Sequence, residues 1–174
     1  MKFYLVIIMF FYVVGTASQT TNNDNAVAYL DNENKPVVNF VKAKEKVRKA
    51  LGKRIDSLDI KDVGIYQVKT IGEKETDSYI IRYSDPKTNQ RLAKYLFLYD
   101  GKFYFYEDVQ KEWNLTIDED NDAFFLSYYL IKGKTEDECL PNIAFMDGEL
   151  YWITGTELVC APDSPCKSEQ ILVM

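Results

Sequence analysis

The sequence predicts a mainly β (α+β) domain in which one N-terminal amphipathic helix precedes seven to nine short antiparallel strands. Three observations predict this class: helical spacing of apolar residues over 37–51, a series of short β-rich runs after it, and Asp-Gly turns inside two pairs of those runs. Short strands at such regular spacing are typical of a meander, a barrel or a strongly curved sheet.

The helix is predicted over 37–51 from its apolar stripe and from the residues that flank it. Pro36 suits the first turn of a helix and Gly52 suits its end. The stripe recurs at intervals of three and four residues: Phe40, Ala43, Val47, Ala50 and Leu51. This pattern places one apolar face against the rest of the domain.

The strands are predicted from short runs rich in β-branched and aromatic residues. They span 63–69, 78–84, 92–99, 102–108, 123–131, 142–146 and 149–154. A helix is the alternative for 123–131, and either 113–117 or 157–160 adds a further strand. Turn-forming residues separate most of these runs, which favours short connections between antiparallel neighbours.

Two hairpins are predicted at Asp100-Gly101 and Asp147-Gly148, because Asp-Gly is the preferred pair for a two-residue hairpin turn. In the first hairpin the register pairs Tyr99 with Lys102 and continues to Tyr95 opposite Tyr106. Alternation then separates an apolar face from a Tyr-rich face, which we take as a candidate ligand surface. Its residues are Tyr95, Phe97, Tyr99, Tyr104 and Tyr106, with Tyr151 in the second hairpin. Such a face lines a ligand cavity, meets a partner, or forms a second core layer.

The N-terminus predicts secretion. Lys2 precedes an apolar run over 3–14, and small residues follow at the positions that a signal peptidase reads, so we expect a signal peptide over 1–17. Residues 18–35 are polar and rich in Asn, which predicts a flexible arm before a single β-rich domain over 36–174. The chain has no second long apolar segment, so no membrane span is expected.

Two of the three cysteines are predicted to form a disulfide, because thiols of secreted proteins are generally oxidised. The hairpin at Asp147-Gly148 brings Cys139 near Cys160, which favours Cys139–Cys160, with Cys160–Cys166 as the local alternative. One cysteine is then free or paired with another chain. The chain has no histidine, so a zinc site is disfavoured and no metal or cofactor is predicted.

Charge and chemistry favour a binding protein over an enzyme. The net charge of −6 disfavours binding of nucleic acid. Residues 36–54 carry seven cations and one anion, Glu45, which indicates a solvated helix face or a surface for an anionic partner. Without histidine, no Ser-His or Cys-His couple exists. No carboxylate pair stands out for hydrolysis, and the acidic loop at 118–122 departs from a calcium-binding loop at Ala123 and Tyr129.

The order of signal peptide, amphipathic helix, roughly eight antiparallel strands and late cysteines resembles the lipocalin-like secreted proteins of arthropod saliva. That resemblance implies a closed barrel with a small ligand in its mouth. The alternative is a cystatin-like module, a helix across a curved sheet, for which the stretch 67–72 is a faint match to the inhibitory loop. We therefore predict a secreted, non-enzymatic protein that binds a small apolar or amphipathic ligand in a Tyr-lined cavity, or alternatively a peptidase inhibitor or other module that binds an extracellular protein.

Overall fold

The computed structural model of the chain describes residues 25–113, 121–133, 139–154 and 166–173. The described helices are α1 (Phe40–Leu51), followed by a 3-10 turn (Gly52–Ile55), α2 (Tyr106–Trp113) and α3 (Asp122–Leu126). The described strands are β1 (Ala28–Leu30), β2 (Pro36–Val38), β3 (Asp62–Lys69), β4 (Ile71–Gly72), β5 (Asp77–Asp85), β6 (Gln90–Tyr99), β7 (Lys102–Tyr104), β8 (Ser127–Lys132), β9 (Pro141–Met146), β10 (Glu149–Thr154) and β11 (Lys167–Leu172).

The mainly β prediction is confirmed as a large antiparallel sheet, one face of which packs against α1. Strands β3, β5, β6, β8 and β11 lie side by side in chain order. The second half of β6 turns to β7, which continues the sheet through β1 to β2. The described strands do not close into the barrel that the lipocalin-like resemblance implies, and their open order is compatible with the curved-sheet alternative.

The prediction of α1 is correct for the middle and the end of the helix, but the helix begins later than predicted, at Phe40. Residues 36–38 form β2, and the helix starts after Asn39, whose side chain accepts a hydrogen bond from the Lys42 N–H. Gly52 ends the helix with φ of 51°, and its N–H donates to the Arg48 carbonyl. An Asn cap satisfies a free N–H at the start of the helix, which Pro36 has no side-chain oxygen to do.

The prediction of a flexible arm over 18–35 is wrong for residues 25–35. Strand β1 pairs with both β2 and β7, and the buried Val27 donates its N–H to the Phe103 carbonyl. Backbone pairing and one buried apolar residue order a segment whose polar composition indicates a loose chain. Residues 18–24 and the predicted signal peptide lie outside the described residues.

The first hairpin has the predicted register only next to its turn. Residues 97–99 pair with 102–104 as expected, but Tyr106 begins α2, so the predicted pairing of Tyr95 with Tyr106 does not form. The predicted strand over 123–131 is likewise divided between α3 and β8. In both places an aromatic-rich run favours a strand by composition, while the packing places a helix there.

The second hairpin has the predicted register throughout, from Glu149 opposite Met146 to Thr154 opposite Pro141. Together with the parallel strand β4 it forms a separate three-stranded sheet. The further strand predicted at 157–160 lies outside the described residues, and so does the one at 113–117 apart from Trp113, which ends α2. Strand β11, which the sequence analysis did not predict, pairs with β8.

The disulfide joins Cys139 to Cys166, so both predicted pairings with Cys160 are wrong. Strand β11 explains the difference, because its pairing with β8 places Lys167 opposite Lys132, shortly before the chain reaches Cys139. The two Cα atoms are 5.7 Å apart, a usual span for a disulfide. Cys160 lies outside the described residues.

Candidate functional site

The large sheet has two different faces, and residues of β6 alternate between them. Leu92, Lys94 and Leu96 point to the face covered by α1, which we call the α1 face. Ala93 and Tyr95 point to the opposite side, which we call the aromatic face. The aromatic face is covered by α3 and the hairpin of β9 and β10, through Phe124, Phe125, Ile143 and Trp152.

Three of the six predicted ligand residues pack inside the aromatic face. Tyr95 meets Phe97, Phe124 and Phe125 with ring centroids 5.0–5.7 Å apart. Phe97 and the buried Tyr106 also contact Phe125, at 5.1 and 5.3 Å. These edge-to-face and tilted contacts form a dense aromatic core layer.

Of the other three predicted residues, one borders this layer and two are exposed. Tyr104 lies opposite Phe97 in the first hairpin and is buried in a small cluster with Ala26 and Val109, against which Phe97 also packs. Tyr99 is 58% exposed, and Tyr151 is 39% exposed and donates its hydroxyl to Glu149. The six residues are therefore not brought together around one site.

A cleft of about 610 Å³ opens instead between α1 and α2. Its lining mixes charged and apolar side chains: Asn25, Lys46, Lys49, Ala50, Phe105, Glu107, Asp108, Lys111, Leu126 and Val173. This size lies within the range of clefts that hold small molecules. The cleft belongs to the α1 face, since Phe105 packs in the core beneath α1.

The charges of the cleft are only partly paired. The Lys46 ammonium lies 2.5 Å from a carboxylate oxygen of Asp108, an ion pair that ties α1 to α2. Lys49 and Lys111 are exposed at the rim, and within the described part of the chain neither forms an ion pair. The rim thus presents two available cations in a protein whose net charge is −6.

Beneath the cleft, Lys94 is fully buried in the core. Its ammonium lies 3.2 Å from a carboxylate oxygen of Glu107 and donates to the Phe125 carbonyl at 3.2 Å. It also lies 4.4 Å from the ring centroid of Tyr128. Burial lowers the pKa of Lys94, and the charge of Glu107 opposes that shift in part.

Two buried tyrosines on the α1 face share this environment. The Tyr83 hydroxyl donates to the Ala43 carbonyl at 3.3 Å. The Tyr128 hydroxyl has no hydrogen-bond partner among the described residues. Burial raises the pKa of both phenols far above its ordinary value, and the charge of Glu107 adds to the effect. A buried hydroxyl without a partner is costly, so its presence beside a buried ammonium is notable.

Sequence reasoning missed this site, although one signal for it was present. Lys94 occupies an inward position in an otherwise apolar strand, between Leu92 and Leu96. The cations of 36–54 were interpreted as a solvated helix face or as a surface for an anionic partner, and two of them, Lys46 and Lys49, line the cleft. Glu107 and Asp108 were assigned to a strand, whereas the first turn of α2 directs them to the cleft and its floor.

Within the described ranges, no group of three or more Cys, Asp or Glu side chains is placed to hold a metal ion. Asp122 instead accepts a hydrogen bond from the Tyr106 hydroxyl, while Asp118 and Asp120 of the predicted acidic loop lie outside those ranges. The helices that the structure describes include none with the length and hydrophobicity to cross a membrane.

Comparison with known proteins found no matching family model, no matching curated protein and no matching solved structure. The lipocalin-like and cystatin-like resemblances therefore stay predictions.

Proposed function

We propose that this chain is a secreted, non-enzymatic binding protein that holds a small amphipathic anion in the cleft between α1 and α2. The observation that carries the proposal is the composition of this cleft, which combines an apolar wall with two lysines that have no ion-pair partner among the described residues. The sequence predicts a small apolar or amphipathic ligand in a Tyr-lined cavity. The proposal keeps an amphipathic ligand, adds a negative charge to it, and places the site on the α1 face instead of the Tyr-rich surface.

The apolar part of the ligand is assigned to the wall formed by Ala50, Phe105, Leu126 and Val173. Burial of apolar surface contributes about 25 cal/mol per Å², so a short alkyl chain or one ring system against this wall supplies useful affinity. The cleft volume of about 610 Å³ is adequate for such a group.

The charged part of the ligand is assigned to the cationic side of the cleft. Lys46, Lys49 and Lys111 face two carboxylates there, and Lys94 lies just below. The cleft and its floor therefore carry four cations against two anions. Clefts that concentrate one sign of charge attract ligands of the opposite sign, with a strength that falls as salt is added.

Titration calorimetry with decanoate, and with decanol as the neutral ligand of equal chain length, tests the charge assignment. We expect decanoate to bind more tightly than decanol. Lys49→Gln and Lys111→Gln should each lower the affinity for decanoate by about threefold to tenfold at low salt. Lys53→Gln is the matched control, since Lys53 is exposed on the turn after α1 and outside the cleft lining. Equal effects of all three variants would contradict the assignment.

A blocking variant tests the location of the site. Ala50 lies on α1 and faces the cleft, so Ala50→Trp is expected to fill the space and abolish decanoate binding while the protein stays folded. Arg48→Trp places the same side chain on an exposed position of the same helix and is expected to bind like the parent. Undiminished binding by the Ala50→Trp protein would place the ligand elsewhere.

Secretion is supported by the apolar run over 3–14 and by the Cys139–Cys166 disulfide, which requires an oxidising environment to persist. Expression of the full chain in a secreting host, followed by mass measurement of the medium, tests this part of the proposal. We expect a product that lacks about the first 17 residues, as the signal-peptide pattern indicates. A full-length product that stays inside the cells would contradict it.

The cystatin-like alternative has one observation in its favour, the position of α1 across the antiparallel sheet. Its proposed loop is less suitable, because Gln67 and Val68 lie inside β3, paired with Tyr79 and Ser78. The connection that follows exposes Glu73, Lys74 and Glu75 instead of an apolar wedge. Residual activity of papain-type and trypsin-type peptidases with excess protein tests this alternative, and inhibition of either class would support it.

A further inference from the structure

We propose that Glu107 is an internal substitute for the ligand, occupying on Lys94 the place that a ligand carboxylate takes when it binds. A bound anion then displaces Glu107 from Lys94. This inference rests on the proposed function and specifies which group of the ligand is recognised, a carboxylate, and which residue competes with it.

The buried ammonium of Lys94 is the fixed half of this arrangement. A lysine has three N–H donors, and here one bonds the Phe125 carbonyl, while the ammonium lies 3.2 Å from a carboxylate oxygen of Glu107. The Phe105 and Tyr128 rings provide the remaining surroundings, at 5.5 and 4.4 Å from the ammonium. A buried cation in such surroundings needs an anion, but the protein need not be the source of it.

Glu107 is the half that is free to move. Its side chain is 31% exposed, whereas that of Lys94 is 0% exposed, and it borders the cleft from the first turn of α2. Its Oε2 atom is buried, and apart from the approach of Lys94 it has no hydrogen-bond partner among the described residues. The 3.2 Å contact is therefore a charge contact without good hydrogen-bond geometry. A ligand carboxylate that aligns better with the ammonium competes with it at little electrostatic cost.

A second cation is available to Glu107 after displacement. Lys111 lies four residues later on α2, the spacing at which a Glu and a following Lys pair on a helix surface. It is exposed and lines the same cleft. Glu107 can therefore exchange the buried Lys94 for the exposed Lys111 without leaving its helix or becoming an unpaired charge.

The unpartnered hydroxyl of Tyr128 gives the site a donor that Glu107 does not use. This phenol is buried beside Lys94, and no described residue accepts its hydrogen. Glu107 lies within electrostatic reach of it, since its charge contributes to the raised pKa of Tyr128. A carboxylate that replaces Glu107 and enters slightly deeper is positioned to accept from both the ammonium and the phenol, which explains why an otherwise costly group is present here.

Decanoate titrations of the full chain and three variants test this exchange. Glu107→Gln removes the competing charge and retains the shape, so we expect decanoate affinity to rise about tenfold. Lys94→Met removes the ammonium that binds the carboxylate and is expected to lower the affinity for decanoate by a similar factor. In the double variant Lys94→Met/Glu107→Gln the gain from Glu107→Gln is expected to vanish, and a buried pair replaced as a whole is generally tolerated by the fold.

The double variant separates this exchange from general electrostatics. A gain that persists without Lys94 would reflect only the lower negative charge of the cleft and would overturn the inference. Unchanged or weaker binding by Glu107→Gln would also overturn it while leaving the proposed function intact, provided that the parent protein binds decanoate. Failure of decanoate to bind the parent and every variant would overturn the proposed function as well. Decanol should show no response to Glu107→Gln, because it carries no charge.

Discussion

The two faces of the large sheet are made by alternate residues of the same strands, yet they differ in kind. On β8, Tyr128 faces α1 with an unpartnered hydroxyl, whereas Tyr129 faces the aromatic layer and its hydroxyl bonds Thr154 at 2.9 Å. On β6, Lys94 places an ammonium in the α1 face, and the adjacent Tyr95 places a ring among other rings on the opposite face.

This difference separates stability from binding. The aromatic face is built mainly of rings: Trp152 stacks on Phe124 and Tyr129 and donates its indole N–H to Ser127 at 3.0 Å. The charged Arg82 on this side of β5 donates to the Pro141 carbonyl, and its Nε has no hydrogen-bond partner among the described residues. The α1 face has a buried cation and an adjacent cleft. Groups that are costly to bury occur more often at functional sites than at positions where they only fill space. We therefore expect damage to the aromatic face to reduce the free energy of unfolding, and damage to the α1 face to change binding.

The largest effect is expected from Phe124→Ala. Phe124 is buried against Tyr95, Phe125 and Trp152 at 4.9–5.7 Å, and removing its ring leaves a cavity in the aromatic layer. We expect the free energy of unfolding in urea to fall by about 3–5 kcal/mol. Decanoate affinity of the folded fraction should stay within about twofold, since Phe124 does not line the cleft. A large loss of affinity would show that the aromatic face contributes to binding as well as to stability.

The disulfide should have the next largest effect, because Cys139 and Cys166 both pack on the aromatic face. The double variant Cys139→Ser/Cys166→Ser reopens a loop of 27 residues, so we expect it to lower the free energy of unfolding by about 3 kcal/mol. Cys160→Ser is the control and should unfold like the parent. Thiol titration of the unreduced, unfolded parent should find one free thiol, because two of the three cysteines form the bridge. Three free thiols would mean that the bridge is absent.

Local signals predicted the parts of the fold in which the chain determines its own geometry. Asp100 and Asp147 both have positive φ, as the turns of Asp-Gly hairpins require, and each hairpin has the expected register beside its turn. The apolar stripe of α1 was likewise correct at Ala43, Val47 and Leu51. Here the local preference and the tertiary packing agree.

The missed elements are those that distant partners determine. Strand β1 is only three residues long, and it pairs with β2 on one side and with β7 on the other. Strand β11 is stabilised by β8 in the same way, and the pairing of the cysteines follows from it. Tyr106, Val109 and Trp113 do recur at helical spacing, and Glu107 and Asp108 lie in the first turn of α2. The β-rich run that leads into this segment favoured a strand instead, so neither α2 nor the cleft that it builds with α1 was predicted.

A pair of adjacent tyrosines provides a smaller and sharper test of the two faces. Tyr129→Phe removes the hydrogen bond to Thr154 and should lower the free energy of unfolding by about 1 kcal/mol. Tyr128→Phe removes a hydroxyl that has no partner among the described residues, so it should be neutral or raise the free energy of unfolding by up to about 1 kcal/mol. Urea unfolding of both variants under one condition measures the two signs. Equal losses from both would mean that Tyr128 has a partner after all.

The smallest expected effect is a pH dependence that separates Lys94 from ordinary surface lysines. Burial lowers the pKa of Lys94 from its unfolded value near 10.5, so between the folded and unfolded pKa values the unfolded chain binds more protons. The free energy of unfolding of the parent should therefore rise with pH in that window, relative to Lys94→Met, which has no such group.

Urea unfolding at several pH values from 7 to 10 measures the difference in free energy of unfolding between the parent and Lys94→Met. The corresponding difference between the parent and Lys53→Met, a change at an exposed position, should not vary with pH. If the free energy of unfolding of the parent instead falls with pH relative to Lys94→Met, the attraction of Glu107 exceeds the cost of burying Lys94. Lys94 would then be a structural half of a stable ion pair, and a ligand would have little reason to displace its partner.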